Sequence, residues 1–375
     1  MTQTNPSENE TTRVEDPAVD HLRNLPRRTL TIALSILPIV ALGNVAVLVY
    51  SLGGIDISEK VKQPGMLWLV AALVFVPMIA NSVRLSIWAR FLDLKLGFRG
   101  SLKVITGTMV ANSVTPSATG GMPIKMLFLM GEGVDSRRSV TLISFQAAED
   151  TFLLVGMLAA CLGITGFAMF EFFSSDPELL ARLDASLRTA SMVVLWVLVT
   201  LAVLALVIAG GLMGNSVRDW ARRFSRRVKG WIFQIAEDWL AVFKRGKGVA
   251  LVNLGFSALQ WVVRFSIAGL VLAAFGVEWQ PALFWLLQYL VQTISSIVPT
   301  PGGAGGAEAA FLLLFAPFVA MGVLVPAMST WRLMHFYLPL VGAALTFFLL
   351  HRLDRAKAKA EPEIEADDAI PQPAE

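Results

Sequence analysis

The chain alternates between long apolar runs and short polar intervals. Six runs are long enough to be helices crossing a bilayer: Leu30–Tyr50, Met66–Ile87, Ser139–Phe170, Thr189–Met213, Val249–Phe275 and Ser329–Leu350. A hydrocarbon layer about 30 Å thick is spanned by about 20 residues of helix. Two further segments are apolar but broken: Leu102–Met130 by Val114–Gly121 (VTPSATGG), and Pro281–Val325 by Val298–Glu308 (VPTPGGAGGAE). Proline removes a backbone donor and glycine tolerates non-helical dihedrals, so both places end helices.

The arm Leu102–Ser113 has 12 residues, about 18 Å of helix at 1.5 Å per residue, and Met122–Met130 is shorter. Neither crosses alone, so the first segment is either one kinked crossing or a hairpin returning to the side it entered. Charge parity separates the two. With both segments returning, one side collects Arg23, Arg27 and Arg28; Arg90, Lys95, Arg99 and Lys103; Arg137 and Arg138; the basic run Arg218–Lys247; and Arg352–Lys359. The other side collects Ile55–Gln63, Glu171–Arg188 and Gly276–Gln280, with mixed or acidic charge. Positive loops mark the cytoplasm, and a single crossing at either segment would strand a basic run outside. In the second segment, arms Ala282–Val298 and Ala307–Val325 are long enough for two full crossings, which parity does not distinguish from a hairpin.

Composition agrees: 55% of the 375 residues are hydrophobic and 16% charged, with mean hydropathy +0.64, outside the range of soluble domains. The fold expected is all-α and polytopic, with six full transmembrane helices and two broken re-entrant helical hairpins. Cys161 stands alone in an apolar run, which excludes an intrachain disulfide and assigns it to packing. Residues 1–29 and 351–375 read as disordered cytoplasmic tails around one transmembrane domain, 30–350. No cleavable secretory signal is expected, since Leu30–Tyr50 lacks a small-residue cleavage site. Within 214–248, a basic linker, Trp220, Phe224, Trp231, Ile235 and Trp239 fall near helical spacing. This predicts either an amphipathic helix drawn to anionic lipid or a plain positive-inside loop.

The two breaks share a pattern, Pro116-x-x-x-Gly120-Gly121 and Pro301-x-x-x-Gly305-Gly306, 185 residues apart. Three crossings lie between them, so the hairpins enter from opposite sides, as in inverted repeats covering about 66–213 and 249–350. Non-helical backbone survives at membrane depth only where protein buries it or water fills a cavity. The helix N-termini after Gly121 and Gly306 would turn partial positive charge toward an anion in such a cavity; hairpins that merely pack are the alternative. Gly302 and Gly303 complete the second tip.

At these residues the chain resembles the flippase-like membrane proteins related to the transmembrane domain of lysylphosphatidylglycerol synthases. The resemblance rests on Asn112-x-x-x-Pro116-x-x-x-Gly120-Gly121 with Lys125 following, and on Pro299-x-Pro301-Gly302-Gly303-x-Gly305-x-x-Glu308. It covers about Leu30 to Leu350. It implies movement of lipids or lipid-linked head groups between leaflets, in a bacterial or archaeal cytoplasmic membrane. The residues after Leu350 hold no catalytic domain, so the aminoacyl transfer of two-domain synthases is not expected. A basic residue would be expected just before the acid of the next helix, yet Ala147 and Ala148 precede Glu149 and Asp150, leaving their charge partner unassigned.

Ionisable groups within the hydrocarbon cost about 2.5 to 3.5 kcal/mol each on insertion scales, so each is a candidate site residue. Arg264 lies mid-helix, and Asn253, Ser257, Gln260 and Arg264 form a polar stripe at steps of four, three and four. Arg264 is expected to meet either a buried partner or a phosphate, whose oxygens fit a guanidinium bidentately. Lys125 is placed for the same role. Glu149 and Asp150 point about 100° apart, so one is expected to pair with Arg264 or Lys125, and the other either to pair structurally or to accept a proton or cation. Glu308 opens its helical arm as a cap or a site carboxylate. Arg332 and His335 share a face near the outer end of the last run, positioned for a head group or, for Arg332, for snorkelling. Arg84 is a weaker candidate, deeper than the anchor Arg90.

A carrier of anionic lipid, not an enzyme, is the function expected, with membrane lipids as partners, no nucleic acid, no cofactor and no metal. Oligomeric state and any partner enzyme are not specified by the residues. No G-x-x-x-x-G-K-[ST] occurs, so ATP would not drive it from within the chain. A small-solute or ion-coupled transporter would use the same hairpins. An intramembrane enzyme acting on a lipid phosphate is the remaining alternative, although His21, His335 and His351 are scattered and no H-E-x-x-H or G-x-S-x-G is present.

Overall fold

The computed structural model describes residues 61–114, 121–166, 235–298 and 302–367, with single positions between 192 and 300, and every described element is helical. Four helical stretches are long and apolar enough to cross a membrane: Pro64–Phe91, Ser136–Thr165, Lys247–Ala274 and Met321–Asp354. They match four of the six runs expected; Leu30–Tyr50 and Thr189–Met213 fall, apart from single positions, outside the described residues.

The first stretch is two helices, α1 (Pro64–Leu73) and α2 (Val76–Phe91). Pro77 at the start of α2 cannot donate to the preceding turn, which accounts for the offset at Val74 and Phe75. The first broken segment is α3 (Phe98–Val114) and α4 (Gly121–Gly131), packed on each other, with Pro116 and Gly120 outside the described residues. Helix α5 (Ser136–Thr165) starts at Asp135, whose carboxylate accepts the Arg137 N–H at 2.9 Å. After α6 (Lys247–Ala274), the second broken segment forms α7 (Pro281–Ile297) and α8 (Gly306–Phe315).

Helix α8 stops ten residues short of the expected arm end at Val325, because Pro317 follows its last turn. Its 10 residues give about 15 Å of helix, half the hydrocarbon. The final crossing starts at Met321 rather than Ser329, with α9 (Met321–Arg332), one π-helical turn (Leu333–Tyr337) and α10 (Leu338–Asp367). Helix α10 runs past residue 351, where a disordered tail was expected, because Ala, Lys, Arg and Glu in 355–365 all favour helix. In the basic linker, residues 235–245 are helical and dock on α5, with Trp239 4.8 Å from Phe145 and Arg138 paired to the buried Asp238.

The ends of the helices fix their directions. The Lys62 and Gln63 N–H groups donate to the Ala274 carbonyl at 2.9 and 3.0 Å, so α1 begins where α6 ends. At the opposite end, Arg245, just before α6, lies 5.7 Å from the Phe91 ring that closes α2. Near this second end, Lys103 at the start of α3 pairs with Glu132 after α4 at 2.6 Å and with Asp354 at 2.9 Å. At the first end, Phe284 of α7 meets Phe315, the last residue of α8, at 5.6 Å. Each pair of short helices thus has both outer ends together, and the two pairs start from opposite ends of the bundle. Cys161 packs in the hydrophobic core, as expected.

Candidate functional site

Small residues Ala80, Ser82 and Ala89 bring α2 close to its neighbours, and this approach buries Arg84 completely. An isolated guanidinium there would be prohibitively costly. Instead its Nε and Nη2 donate to Glu149 Oε2 at 3.1 and 2.7 Å, and its Nη1 donates to Asp150 Oδ1 at 2.8 Å. Trp88 donates to the other Glu149 oxygen at 2.9 Å. The expectation that Glu149 or Asp150 pairs with Arg264 or Lys125 is therefore corrected. Arg84 takes both acids, because its planar fork sends donors in two directions and spans carboxylates that diverge around the helix. Asp150 Oδ1 also accepts from Ser257, Gln260 and Trp261 at 2.7, 3.0 and 3.0 Å, so much of the α6 stripe binds an acid rather than a ligand.

Lys125 on α4 donates to the Gln146 side-chain oxygen, and the Gln146 amide donates to Asn81 Oδ1 at 3.0 Å. Four elements are thus joined: α2, α4, α5 and α6.

A cavity of about 650 Å³ opens beside this network, lined by both broken segments. The first contributes Asn112, Gly121 and Lys125; the second contributes Ser295, Gly302 and Gly303. Asn112 sits against Gly121, where an added Cβ would lie 3.0 Å from its amide nitrogen. Gly302, Gly303 and Gly305 have φ of +60°, +67° and +81°, the left-handed region that side chains disfavour. A Cβ on Gly303 would also lie 2.1 Å from the Ser295 hydroxyl oxygen. This second tip is wired to the last crossing. Glu308 Oε2 accepts the Gly305 N–H at 2.8 Å, while its Oε1 lies 2.9 Å from Arg332 Nε; Arg332 Nη2 donates to the Gly302 carbonyl at 2.7 Å.

Arg332 is accordingly not at an outer helix end. With the crossing beginning at Met321, it lies eleven residues in, buried, 4.2 Å from the Phe336 ring. It braces the hairpin and does not snorkel. His335 stacks on Trp331 at 5.4 Å, completing a series of rings that continues through Phe311, Phe315 and Phe284. Both Arg332 and His335 line the cavity.

Arg264 is the cation left over. It lines the cavity, lies 5.6 Å from the Trp261 ring, and has no hydrogen bond or ion pair among the described residues. Of the residues singled out from sequence, Lys125, Asn112, Asp150, Gln260, Arg264, Arg332 and His335 come together around one space; Glu149 and Glu308 stand directly behind its wall. Pro301 lies outside the described residues, and Gly305 and Gly306 are at the second tip without lining the space. Arg84 and Gln146 carry more of the network than their sequence signal suggested. The polar run Asn81, Arg84 and Gln146 on otherwise apolar faces was that signal.

A UPF0104 membrane protein of Archaeoglobus fulgidus is 21% identical over 301 residues, covering 74% of this chain and 86% of that protein. A UPF0104 membrane protein of Methanothermobacter thermautotrophicus is 24% identical over 310 residues, covering 79% and 88%. The model of the lysylphosphatidylglycerol synthase TM region matches residues 30–343, more than four-fifths of the sequence, and the chain belongs to that family of membrane proteins.

Proposed function

We propose that the protein is a carrier, not an enzyme, that moves an anionic lipid head group between the leaflets of the cytoplasmic membrane without an ATPase of its own. The observation that carries this reading is Arg264, a guanidinium that lines the cavity of about 650 Å³ and has no hydrogen bond or ion pair among the described residues. A cation in a low-dielectric site with no partner is costly unless an anionic ligand visits. Phosphate oxygens are its best geometric match.

Two relationships support alternating access. The pairs α3–α4 and α7–α8 have their outer ends together and start from opposite ends of the bundle, as re-entrant hairpins of inverted repeats do, and their tips line the same cavity. Rocking one hairpin with its bracing helix would open the space to one side at a time. Charge parity supports both termini lying in the cytoplasm in this arrangement.

The test is leaflet exchange of labelled phospholipids in liposomes holding the purified protein, compared with protein-free liposomes and with an Arg264→Ala, Lys125→Ala variant folded to the same extent. Fast exchange that the variant loses is the expected result. Absence of exchange for anionic and zwitterionic lipids alike, with and without a proton gradient, would reject lipid carriage in favour of a solute carrier or an intramembrane enzyme.

A further inference from the structure

We infer that the helix at residues 235–245 is a docking element for a bilayer surface bearing anionic lipid, formed by residues that do not line the cavity. A plain positive-inside loop would hold no fixed face. This helix does, because its inner side is fastened to the bundle. The buried Asp238 pairs with Arg138 and accepts a hydrogen bond from the Thr141 hydroxyl at 2.9 Å. Trp239 lies 4.8 Å from Phe145 on α5. Val242 is buried, and Gly246 approaches α2 so closely that an added Cβ would lie 2.8 Å from the Phe91 ring. A buried acid is tolerated only while it is paired, so Asp238 fixes the rotation of the helix about its own axis as well as its place.

That rotation decides what the outer side presents. At 3.6 residues per turn, Phe233, Ala236, Leu240 and Phe243 fall on one strip about 80° wide, opposite Asp238 and Val242. All four are exposed, the three large ones by 70% for Phe233, 52% for Leu240 and 64% for Phe243. Glu237 and Lys244 are exposed along one edge of the strip, and Lys229 and Lys247 beyond its two ends. An apolar strip bordered by lysines fits a membrane interface, where rings enter the boundary between head groups and acyl chains and ammonium groups meet anionic heads.

Two observations favour a bilayer over a protein partner. The first is continuity. Five residues past Gly246, on a helix long and apolar enough to cross the membrane, Leu251 and Val252 are exposed as well. The strip therefore stands where the chain enters the bilayer. The second is charge. Of the exposed charged residues described from 229 to 248, Lys229, Lys244, Arg245 and Lys247 are basic and Glu237 alone is acidic. An anionic surface attracts each basic group held near it, and salt screens that attraction.

The experiment uses the full-length protein with Cys161→Ala, labelled with nitrobenzoxadiazole at Leu240→Cys on the strip or at Glu237→Cys on its polar edge. Each is placed in nanodiscs containing doxyl-labelled phosphatidylcholine, with or without phosphatidylserine. Quenching should be roughly twofold greater at 240 than at 237, and should rise at 240 when phosphatidylserine is present. High salt should remove the rise, as should the combined Lys229→Gln, Lys244→Gln and Lys247→Gln variant, in which none of the three lysines carries a contact described above. The unfolding midpoint of each labelled protein checks its fold, and Phe243→Cys carries the same expectation should Leu240→Cys fail to fold.

Equal quenching at 240 and 237, or quenching at 240 indifferent to phosphatidylserine, overturns the inference. Protection of the label at 240 that appears only in discs holding two copies of the protein assigns the strip to a second copy, and overturns it too.

Discussion

Arg84 of α2 grips a single oxygen of Glu149 on α5 with two of its nitrogens, Nε at 3.1 Å and Nη2 at 2.7 Å, in a pocket where the arginine has no exposed surface. The third nitrogen is thereby left directed at Asp150. One side chain of α2 thus sets the position of the two acids behind the cavity.

Replacing Arg84 by leucine strands two carboxylates. Loss of one member of a buried pair costs about 3 to 5 kcal/mol, and Arg84→Lys recovers little, since an ammonium cannot reach both acids as a fork does. The thermal unfolding midpoint in detergent should fall strongly for both variants. A midpoint unchanged in Arg84→Leu would mean that Glu149 and Asp150 find other partners.

Arg264 predicts the opposite balance. Arg264→Leu removes a charge that has no hydrogen bond or ion pair among the described residues, so stability should hold or rise, whereas lipid exchange should drop roughly tenfold or more, about 1.4 kcal/mol or above. A structural role would instead lower the unfolding midpoint together with exchange.

The second hairpin tip separates backbone strain from collision. At Gly305 an added Cβ meets open space, so Gly305→Ala pays only the left-handed backbone, about 1 to 2 kcal/mol. Gly303→Ala adds a collision with Ser295 and should be the worse of the two. Thermal melts of both variants, with Gly303→Ala repeated in a Ser295→Gly background, measure the difference; the second substitution should recover the collision part alone.

The cluster at the base of the first hairpin should behave as a surface network. Lys103, Glu132 and Asp354 are all partly exposed, so Lys103→Ala should cost no more than about 1 kcal/mol. Melts at low and high salt decide this, because the deficit should shrink as salt screens the wild-type pairs.

The apolar runs made the crossings legible because a bilayer imposes one length on every helix, and the glycines and prolines at 114–121 and 298–308 made the breaks legible because backbone chemistry is local. Charge parity gave directions that the Lys62–Ala274 and Lys103–Asp354 contacts match. Partner choice was not legible. Arg84 and Asp150 are 66 positions apart, and nothing local says that Arg84, the weaker of the site candidates, closes on both acids. Nor does Pro317 announce from sequence whether the apolar stretch beyond it continues an arm or opens the next crossing.

The π turn after Arg332 has a consequence for how the last crossing tolerates length changes. A π turn holds one extra residue, so the helix carries a phase slip of about 100° at this point. Removing any one of Leu333–Tyr337 would close the turn into ordinary helix and swing Arg332 away from Glu308, although no ion-pairing group had been deleted. In this helix, spacing is as much a part of the arginine's identity as its charge.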